Sequence, residues 1–227
     1  DMKLKSSLLG LPERYILSKL NTTISQVTSL FDAYKLNEVA GAVEELYLAL
    51  SREYIQLIRD KVATGSKDEK ATVVATLYYV LFESLKLFAP VAPFIVEKMY
   101  LNLREEFGLK EKSIHMHAWP KTVESYVDVK LEKQFECAQQ VIQGVLSGRD
   151  KIQTGIRWPL AEAVIVTADK DTIASIGTMK ELIQMQTNVR EISVKSMLPG
   201  ITTTLMPDHK QLGPDFGKLV PGIVAQL

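Results

Sequence analysis

Apolar residues recur every three or four positions in the first part of the chain, the spacing of a helix with one buried face. Pro12 and Glu13 suit a first helical turn. The stripe that follows them consists of Ile16, Leu20, Ile24, Val27, Phe31 and Tyr34. Asn37 can cap a second helix, which the polar stretch Gly65-Ser66-Lys67 ends. Its stripe consists of Val39, Val43, Leu46, Leu50, Tyr54 and Leu57. The pattern therefore predicts two long amphipathic helices.

Proline and glycine mark the limits of two further helices. A third helix is predicted from Asp68 to Pro90, whose ring cannot continue the hydrogen-bond ladder. Its buried face holds Val74, Leu77, Leu81, Leu85 and Phe88. Pro93 begins a fourth helix, and Gly108 is its expected stop. The fourth apolar face holds Val96, Tyr100, Leu103 and Phe107. Four helices joined by short loops predict an antiparallel bundle, and we assign it residues 1–120.

The segment after the bundle has a different pattern. Residues 113–120 alternate in polarity and stop at a proline, so we expect them to lie extended across the helices. A new helix is predicted from Asp128, before the loop Thr154-Gly155. Its apolar face holds Leu131, Phe135, Ala138, Ile142, Val145 and Ile152. The chain thus continues into a second region rather than a fifth bundle helix.

Strand-like segments follow that helix. Ala163–Thr167 and Val189–Val194 read as short strands around a helix at residues 172–185. Residues 201–205 are a possible third strand, and Gly213-Pro214 can start a last helical segment. We therefore predict a small α+β domain over residues 121–227. The expected fold class is α+β, with a helix bundle first.

Composition narrows the class of protein without naming a function. The 227 residues include 27 Lys/Arg and 27 Asp/Glu, so nucleic-acid binding would need cations clustered on one face. A single cysteine, Cys137, excludes an intramolecular disulfide and fits a reducing cytoplasm. No run of about 18 uncharged apolar residues is present, and the polar start lacks a signal-peptide core. We therefore expect a cytoplasmic protein with no membrane partner.

Signatures of catalysis were sought and not found. The sequence contains neither Gly-x-Gly-x-x-Gly nor Gly-x-x-x-x-Gly-Lys-Ser/Thr, so it offers no glycine cradle for nucleotide phosphates. His115 and His117 could share a strand face and reach Cys137. These residues supply only three ligands, and their irregular spacing in the sequence is not typical of a zinc site. Cys137 itself suits a core thiol better than a nucleophile. We predict no catalytic residue, no metal and no cofactor within this chain.

One helix face is a candidate for binding nucleic acid. On a helical wheel, Arg52, Gln56 and Arg59 lie opposite the apolar stripe of the second helix. We call these three residues the basic ridge. Guanidinium groups pair with phosphates and stack on bases, and an amide can read a base edge. Arg14 and Lys19 form a similar, weaker pair on the first helix. The same spacing of charged residues would also occur on a helix face that contacts only solvent and binds no ligand.

A second candidate lies where the α+β region begins. Cations at Arg149, Lys151 and Arg157 accompany Trp158, and a single-stranded base can stack on such an indole. Trp158 beside Pro159 could equally be a plug between the two domains. The sequence alone leaves these two interpretations open.

Four segments of the first region follow one another in a characteristic order. They are Glu13-Arg14-Tyr15-Ile16-Leu17-Ser18-Lys19-Leu20-Asn21, Ser51-Arg52-Glu53-Tyr54-Ile55, Leu87-Phe88-Ala89-Pro90-Val91-Ala92-Pro93-Phe94-Ile95 and Trp119-Pro120. In this order they resemble the anticodon-binding domain shared by the isoleucyl-, valyl- and leucyl-tRNA synthetases of class I. That family usually has an aromatic residue at the place of Glu53.

The second region resembles isoleucyl-tRNA synthetases of archaeal and eukaryotic type. The similar segments are Arg149-Asp150-Lys151, Gly155-Ile156-Arg157-Trp158-Pro159-Leu160 and Leu212-Gly213-Pro214-Asp215-Phe216-Gly217-Lys218. The ATP-handling signatures of such enzymes, His-x-Gly-His and Lys-Met-Ser-Lys-Ser, do not occur in this sequence. The resemblance implies a C-terminal piece of a larger ligase that follows its catalytic body.

This resemblance implies a function and partners. Residues 1–120 would bind the anticodon stem and loop of an isoleucine tRNA, and residues 121–227 would extend the contact. The parent ligase would use ATP with Mg²⁺ to attach isoleucine, and its catalytic domain would be the other partner of this chain. The alternatives are the same region of a valyl or leucyl enzyme, or a synthetase-derived scaffold that binds protein and no RNA.

Overall fold

The computed structural model describes residues 8–197 and Gly217, and the first half of this part is a helix bundle. Its helices are α1 (Leu11–Asp32), α2 (Leu36–Leu48), α3 (Ile55–Leu57), α4 (Arg59–Thr64), α5 (Lys67–Phe88) and α6 (Pro93–Phe107). The second half contains α7 (Val129–Lys151), β1 (Leu160–Val166), α8 (Lys170–Thr178), α9 (Lys180–Thr187) and β2 (Val189–Lys195). The predicted class, a helix bundle followed by a small α+β unit, is confirmed.

Local sequence signals set most helix ends. The Ser66 hydroxyl accepts a hydrogen bond from the Glu69 N–H, and the Glu69 carboxylate accepts one from the Ser66 N–H, forming a capping box for α5. Pro93 begins α6, and Gly108 ends it in the left-handed conformation with φ of 62°. The predicted capping residues Asn37 and Asp68 were each wrong by two positions, because Lys35 precedes α2 and Ser66 caps α5.

The second predicted helix is interrupted. Residues Ala49–Tyr54 form a π-helix between α2 and α3, and a break at Ile58 separates α3 from α4. A π-helix inserts an extra residue into the turn and so shifts which side chains face the core. Tyr54, Leu57 and Ile58 are buried, as are Leu46 and Leu50 before them. The predicted apolar stripe therefore faces the core although the helix is irregular.

The segment after α6, residues 113–128, crosses the bundle and is fastened to it by side chains. The prediction that residues 113–120 lie extended was wrong at Ile114–Met116, which form a 3₁₀ turn, and a second such turn follows at Glu124–Tyr126. The His117 ring nitrogen Nε2 lies 2.8 Å from the Tyr100 hydroxyl of α6. The Trp119 Nε1–H donates to the Thr28 hydroxyl of α1 at 2.9 Å. This crossing segment therefore links α6 to α1 before α7 begins.

Helix α7 packs on the polar side of α1. The Phe135 ring stacks on Tyr15 with centroids 4.1 Å apart, while the Ser18 hydroxyl donates to the Glu132 carboxylate. The Asp128 side chain caps α7 by accepting from the Leu131 N–H at 3.0 Å. One apolar face of α7 is thereby buried against the bundle.

The α+β unit is built on two parallel strands. Leu160 of β1 is paired with Val189 of β2, and the register runs on to Val166 and Lys195. The predicted helix at residues 172–185 is present as two helices, α8 and α9, with buried Met179 between them. The predicted third strand at residues 201–205 and the helical segment from Gly213-Pro214 lie outside the described residues.

The buried core is continuous from the bundle into the α+β unit. One cluster joins Leu20 and Leu46 of the bundle to Phe135 of α7 and to Ile183 and Ile192 beyond it. The predicted boundary at residues 120 and 121 stays a prediction, and the core does not divide there.

Helix α5 is long and apolar enough to cross a membrane by length and composition alone. In the structure it packs against α1, α2 and α6, and part of its apolar surface contributes to the bundle core. A helix that is buried in a protein core can be as long and as apolar as one that crosses a membrane. The absence of a membrane partner stays a prediction.

The stack of Phe135 on Tyr15 gives a test of the joint between α1 and α7. Phe135 has no exposed surface, so we expect Phe135→Ala to lower the free energy of unfolding by about 3–5 kcal/mol. Phe94→Ala is the matched control, because Phe94 is 91% exposed and its loss should change stability by less than about 0.5 kcal/mol. Urea unfolding of both variants measures this, and equal midpoints would contradict the packing described.

Candidate nucleic-acid interface

The three residues of the basic ridge lie on the solvent side of the bundle. Arg52 is in the π-helix, Gln56 in α3 and Arg59 at the start of α4, and all three are exposed. Their neighbours Tyr54, Leu57 and Ile58 take the buried positions. Among residues 8–197, no carboxylate lies within salt-bridge distance of Arg52 or Arg59. The ridge therefore presents two guanidinium groups and one amide to solvent.

Glu53 faces away from the ridge. The Tyr15 hydroxyl donates to the Glu53 carboxylate at 2.5 Å, which joins the π-helix to α1. Burial raises the pKa of Tyr15 well above its ordinary value, and the hydrogen bond to Glu53 raises it further. Because Glu53 is engaged with Tyr15, its position does not offer a surface for base stacking.

Arg14 and Lys19 of α1 are less suited to phosphate. The Arg14 guanidinium lies 3.1 Å from the Asp128 carboxylate, in an exposed pair at the start of α7. Lys19 is half-buried and lines a groove whose other charged side chains are mostly acidic, including those of Glu45, Glu53 and Glu136. Carboxylates beside both cations weaken the attraction that a phosphate would feel there.

Arg149 occupies a different environment from the one its charge suggested. It is 3% exposed at the end of α7, and its guanidinium donates to backbone carbonyls. These acceptors are the carbonyls of Thr187 at 2.9 Å, Asn188 at 2.8 Å, Trp158 at 2.9 Å and Gly155 at 3.3 Å. A guanidinium with this many protein partners is not free to contact phosphate. We therefore correct its predicted role from surface contact to internal support.

Lys151, Arg157 and Trp158 are exposed, and the indole of Trp158 has 71% of its surface accessible. A plug between the two domains would be covered, and the described residues leave this indole mostly exposed. Its role as a stacking surface stays a prediction.

Sequence reasoning missed a group of aromatic side chains at one end of the bundle. Tyr34 and Phe94 are 89% and 91% exposed, and Trp119 packs edge-on against Phe31. Tyr34 had been placed in the buried stripe of the first helix, but the chain leaves the helix there with φ of 57°. Phe94 could have been found, because it lies off the stripe of Val96 and Tyr100. We call Tyr34, Phe94 and Trp119 the bundle-end aromatics.

The zinc alternative gains no support from the geometry. His117 bonds to Tyr100, while Cys137 lies on α7, where burial raises the pKa of its thiol. Within residues 8–197, no three His, Cys, Asp or Glu side chains are grouped so that they could hold a metal ion.

Comparison with known proteins shows which family this chain is similar to. Residues 13–166 match the family model described as the anticodon-binding domain of tRNA ligase, from the first turn of α1 to the end of β1. Similar proteins named isoleucine–tRNA ligase occur in Methanosarcina mazei and Methanocella arvoryzae, each 30% identical over 93% and 96% of this chain. The protein of that name in Porphyromonas gingivalis is 32% identical over 93% of the chain. The chain spans about a fifth of the length of these relatives, 21%, 20% and 18% respectively.

The buried Tyr15 side chain leads us to expect that the protein loses stability at alkaline pH. A tyrosine whose pKa is raised by folding stabilises the native state fully below its unfolded pKa of about 10, and that contribution is lost as pH rises above it. We expect Tyr15→Phe to be less stable than the wild type by about 1 kcal/mol at pH 7. Its stability should then decline less between pH 9 and 11, as followed by urea unfolding.

Tyr34→Phe is the control for this experiment, because Tyr34 lies almost wholly in solvent. Its pH profile should follow the wild type. A Tyr15→Phe profile that also follows the wild type would show that Tyr15 does not titrate abnormally.

Proposed function

Because the matched region runs from α1 to β1, the chain belongs to the anticodon-binding domain family of tRNA ligases, and we propose that it binds an isoleucine tRNA. The site on that tRNA is the anticodon stem and loop. The chain would act as part of an isoleucine–tRNA ligase, whose catalytic domain is its other partner.

Two observations support isoleucine as the specificity. Relatives from both archaea and bacteria that align with at least 93% of this chain carry the name isoleucine–tRNA ligase. The segment Gly155–Leu160, which resembles isoleucyl enzymes in sequence, forms an exposed loop that leads into β1. By the same resemblance, a valyl enzyme would share the bundle and finish differently.

The basic ridge is the observation that carries the proposal. Arg52 and Arg59 are exposed and have no acidic partner among the described residues. In such a place, each arginine can neutralise a phosphate and release its counterions. Gln56 lies between them and supplies donor and acceptor groups for a base edge. We infer that the arginines set the register of the RNA while the amide contributes to reading it.

Aromatic side chains add contacts of a second kind. Unpaired bases of an RNA loop stack on exposed rings, and Trp158, Tyr34 and Phe94 offer such rings. Lys151 and Arg157 place positive charge beside Trp158. An anticodon loop combines unpaired bases with a phosphate backbone, so its chemistry matches cations and rings on one molecule.

The chain would influence a reaction that takes place elsewhere in its parent protein. Aminoacylation requires ATP with Mg²⁺, and we place that chemistry in the catalytic domain rather than in these residues. Binding energy released at the anticodon would hold the acceptor end of the tRNA over activated isoleucine. We also place the protein in the cytoplasm, where its tRNA substrate would be.

We expect Arg52→Ala and Arg59→Ala each to weaken binding to isoleucine tRNA and to lower the slope of log affinity against log salt by about one. Filter binding across a salt series measures both quantities. The matched control is Arg190→Ala, which removes an exposed arginine from β2 in the α+β unit. That variant should keep the wild-type affinity and slope.

The same assay with valine and leucine tRNAs tests specificity. Equal affinity for all three tRNAs would contradict isoleucine recognition while keeping the family assignment. Binding that ignores salt, or no binding at all, would contradict RNA recognition by this chain and favour a protein-binding scaffold.

A further inference from the structure

The loop that carries Trp158 is held by hydrogen bonds to its backbone. Residues 155–158, which we call the Trp158 loop, form a turn in which the Trp158 N–H donates to the Gly155 carbonyl at 3.1 Å. Arg149 donates to the carbonyls of both Gly155 and Trp158, and the Asn188 side-chain amide donates to that of Ile156 at 2.8 Å. The carbonyls of three of the four loop residues are therefore fixed by groups outside the loop.

Arg149 also ties this loop to the turn before β2. Its Nε and Nη2 atoms donate to the carbonyls of Thr187 and Asn188, where α9 ends and the chain enters the strand. Asn188 adopts φ of 49°, so the turn is tight and presents its carbonyl inward. One buried cation thus fastens two segments that are distant in sequence, residues 155–158 and 187–188.

The side chains of the Trp158 loop point the other way. Ile156, Arg157 and Trp158 are all exposed, although the backbone that carries them is fixed. A solvent-facing indole of this size gains no burial energy in the free protein, and holding its backbone in place lowers the entropy lost when a ligand binds. The stretch from Lys151 to Pro159 contains no acidic residue, which favours an anionic ligand.

We propose that the Trp158 loop is a preformed stacking site for one unpaired nucleotide of the tRNA, and that Arg149 is its positioning residue. This inference rests on the proposed function, since it assumes that the chain binds tRNA. The indole stacks on the base while Arg157 neutralises a neighbouring phosphate. Arg149 touches neither group and acts by fixing the backbone of the loop.

The tryptophan content of the chain allows a direct measurement. Trp119 and Trp158 are its two tryptophans, so a Trp119→Phe background leaves Trp158 as the sole indole reporter. In this background we expect isoleucine tRNA to quench Trp158 emission as it binds. Trp158→Ala in the same background should bind about 5- to 150-fold more weakly, the range for loss of one stacked base. Trp158→Phe keeps a ring and should bind within a few-fold of the background.

Arg149→Lys tests the positioning role, because an ammonium keeps the charge but cannot serve carbonyls spread over two segments. We expect it to lose at least as much affinity as Trp158→Ala and to lower the salt slope by no more than about one, for the single phosphate contact that Arg157 makes from the same loop. Combining it with Trp158→Ala should bind no more weakly than Arg149→Lys alone, because loss of the fixed loop already removes the stacked contact. A merely destabilising change would instead add to Trp158→Ala.

Asn188→Gly is the second variant, in case Arg149→Lys fails to fold. Glycine accepts the positive φ at this position while removing the bond to Ile156, so a partial loss of both quenching and affinity is expected. Full affinity and full quenching in Asn188→Gly would overturn the positioning argument.

The outcomes separate this inference from the proposed function. Tight, salt-dependent binding by the background protein without quenching, and with no effect of Trp158→Ala, would overturn the stacking site and leave tRNA binding intact. No binding by the wild-type chain would overturn the proposed function and this inference together.

Discussion

Helix α1 is packed on two faces, and the rest of the structure depends on the second, polar one. Its apolar stripe fills the bundle core. The side chains of Ser18, Asn21 and Thr22 form hydrogen bonds with residues that follow α6. Asn21 accepts from the Val123 N–H at 2.7 Å, and Ser18 accepts from the Asp128 N–H at 2.8 Å. Buried polar groups without partners would cost about 1–3 kcal/mol each, so these bonds determine where α7 begins and therefore where the α+β unit lies.

Both ends of α6 and the start of α7 could be predicted from the sequence, because a proline, a glycine and a capping aspartate act locally. The π-helix could not be predicted, since Leu46, Leu50 and Tyr54 keep the spacing of a regular helix. The division of the predicted helix at Met179 has a similar origin. Its side chain is buried between α8 and α9, and apolar periodicity does not show how a helix is bent.

The candidate site was predicted in part. The exposure of Arg52, Gln56 and Arg59 could be predicted, because their buried neighbours are apolar in the sequence. The role of Arg149 was assigned wrongly, because charge alone does not show whether a guanidinium contacts phosphate or backbone carbonyls. The exposure of Tyr34 depends on the residue at which α1 ends, and no local signal marks that end.

Two surfaces emerge that differ in how they would bind RNA. The basic ridge is electrostatic, whereas the Trp158 loop depends on a ring held by a fixed backbone. The most direct test of their joint use is ultraviolet crosslinking of the chain to isoleucine tRNA, followed by mass spectrometry of the crosslinked peptides. The account predicts crosslinks in peptides that contain residues 52–59 and 155–158. Crosslinks confined to the strand β2 and helices α8 and α9, or none above those of an unrelated RNA, would contradict it.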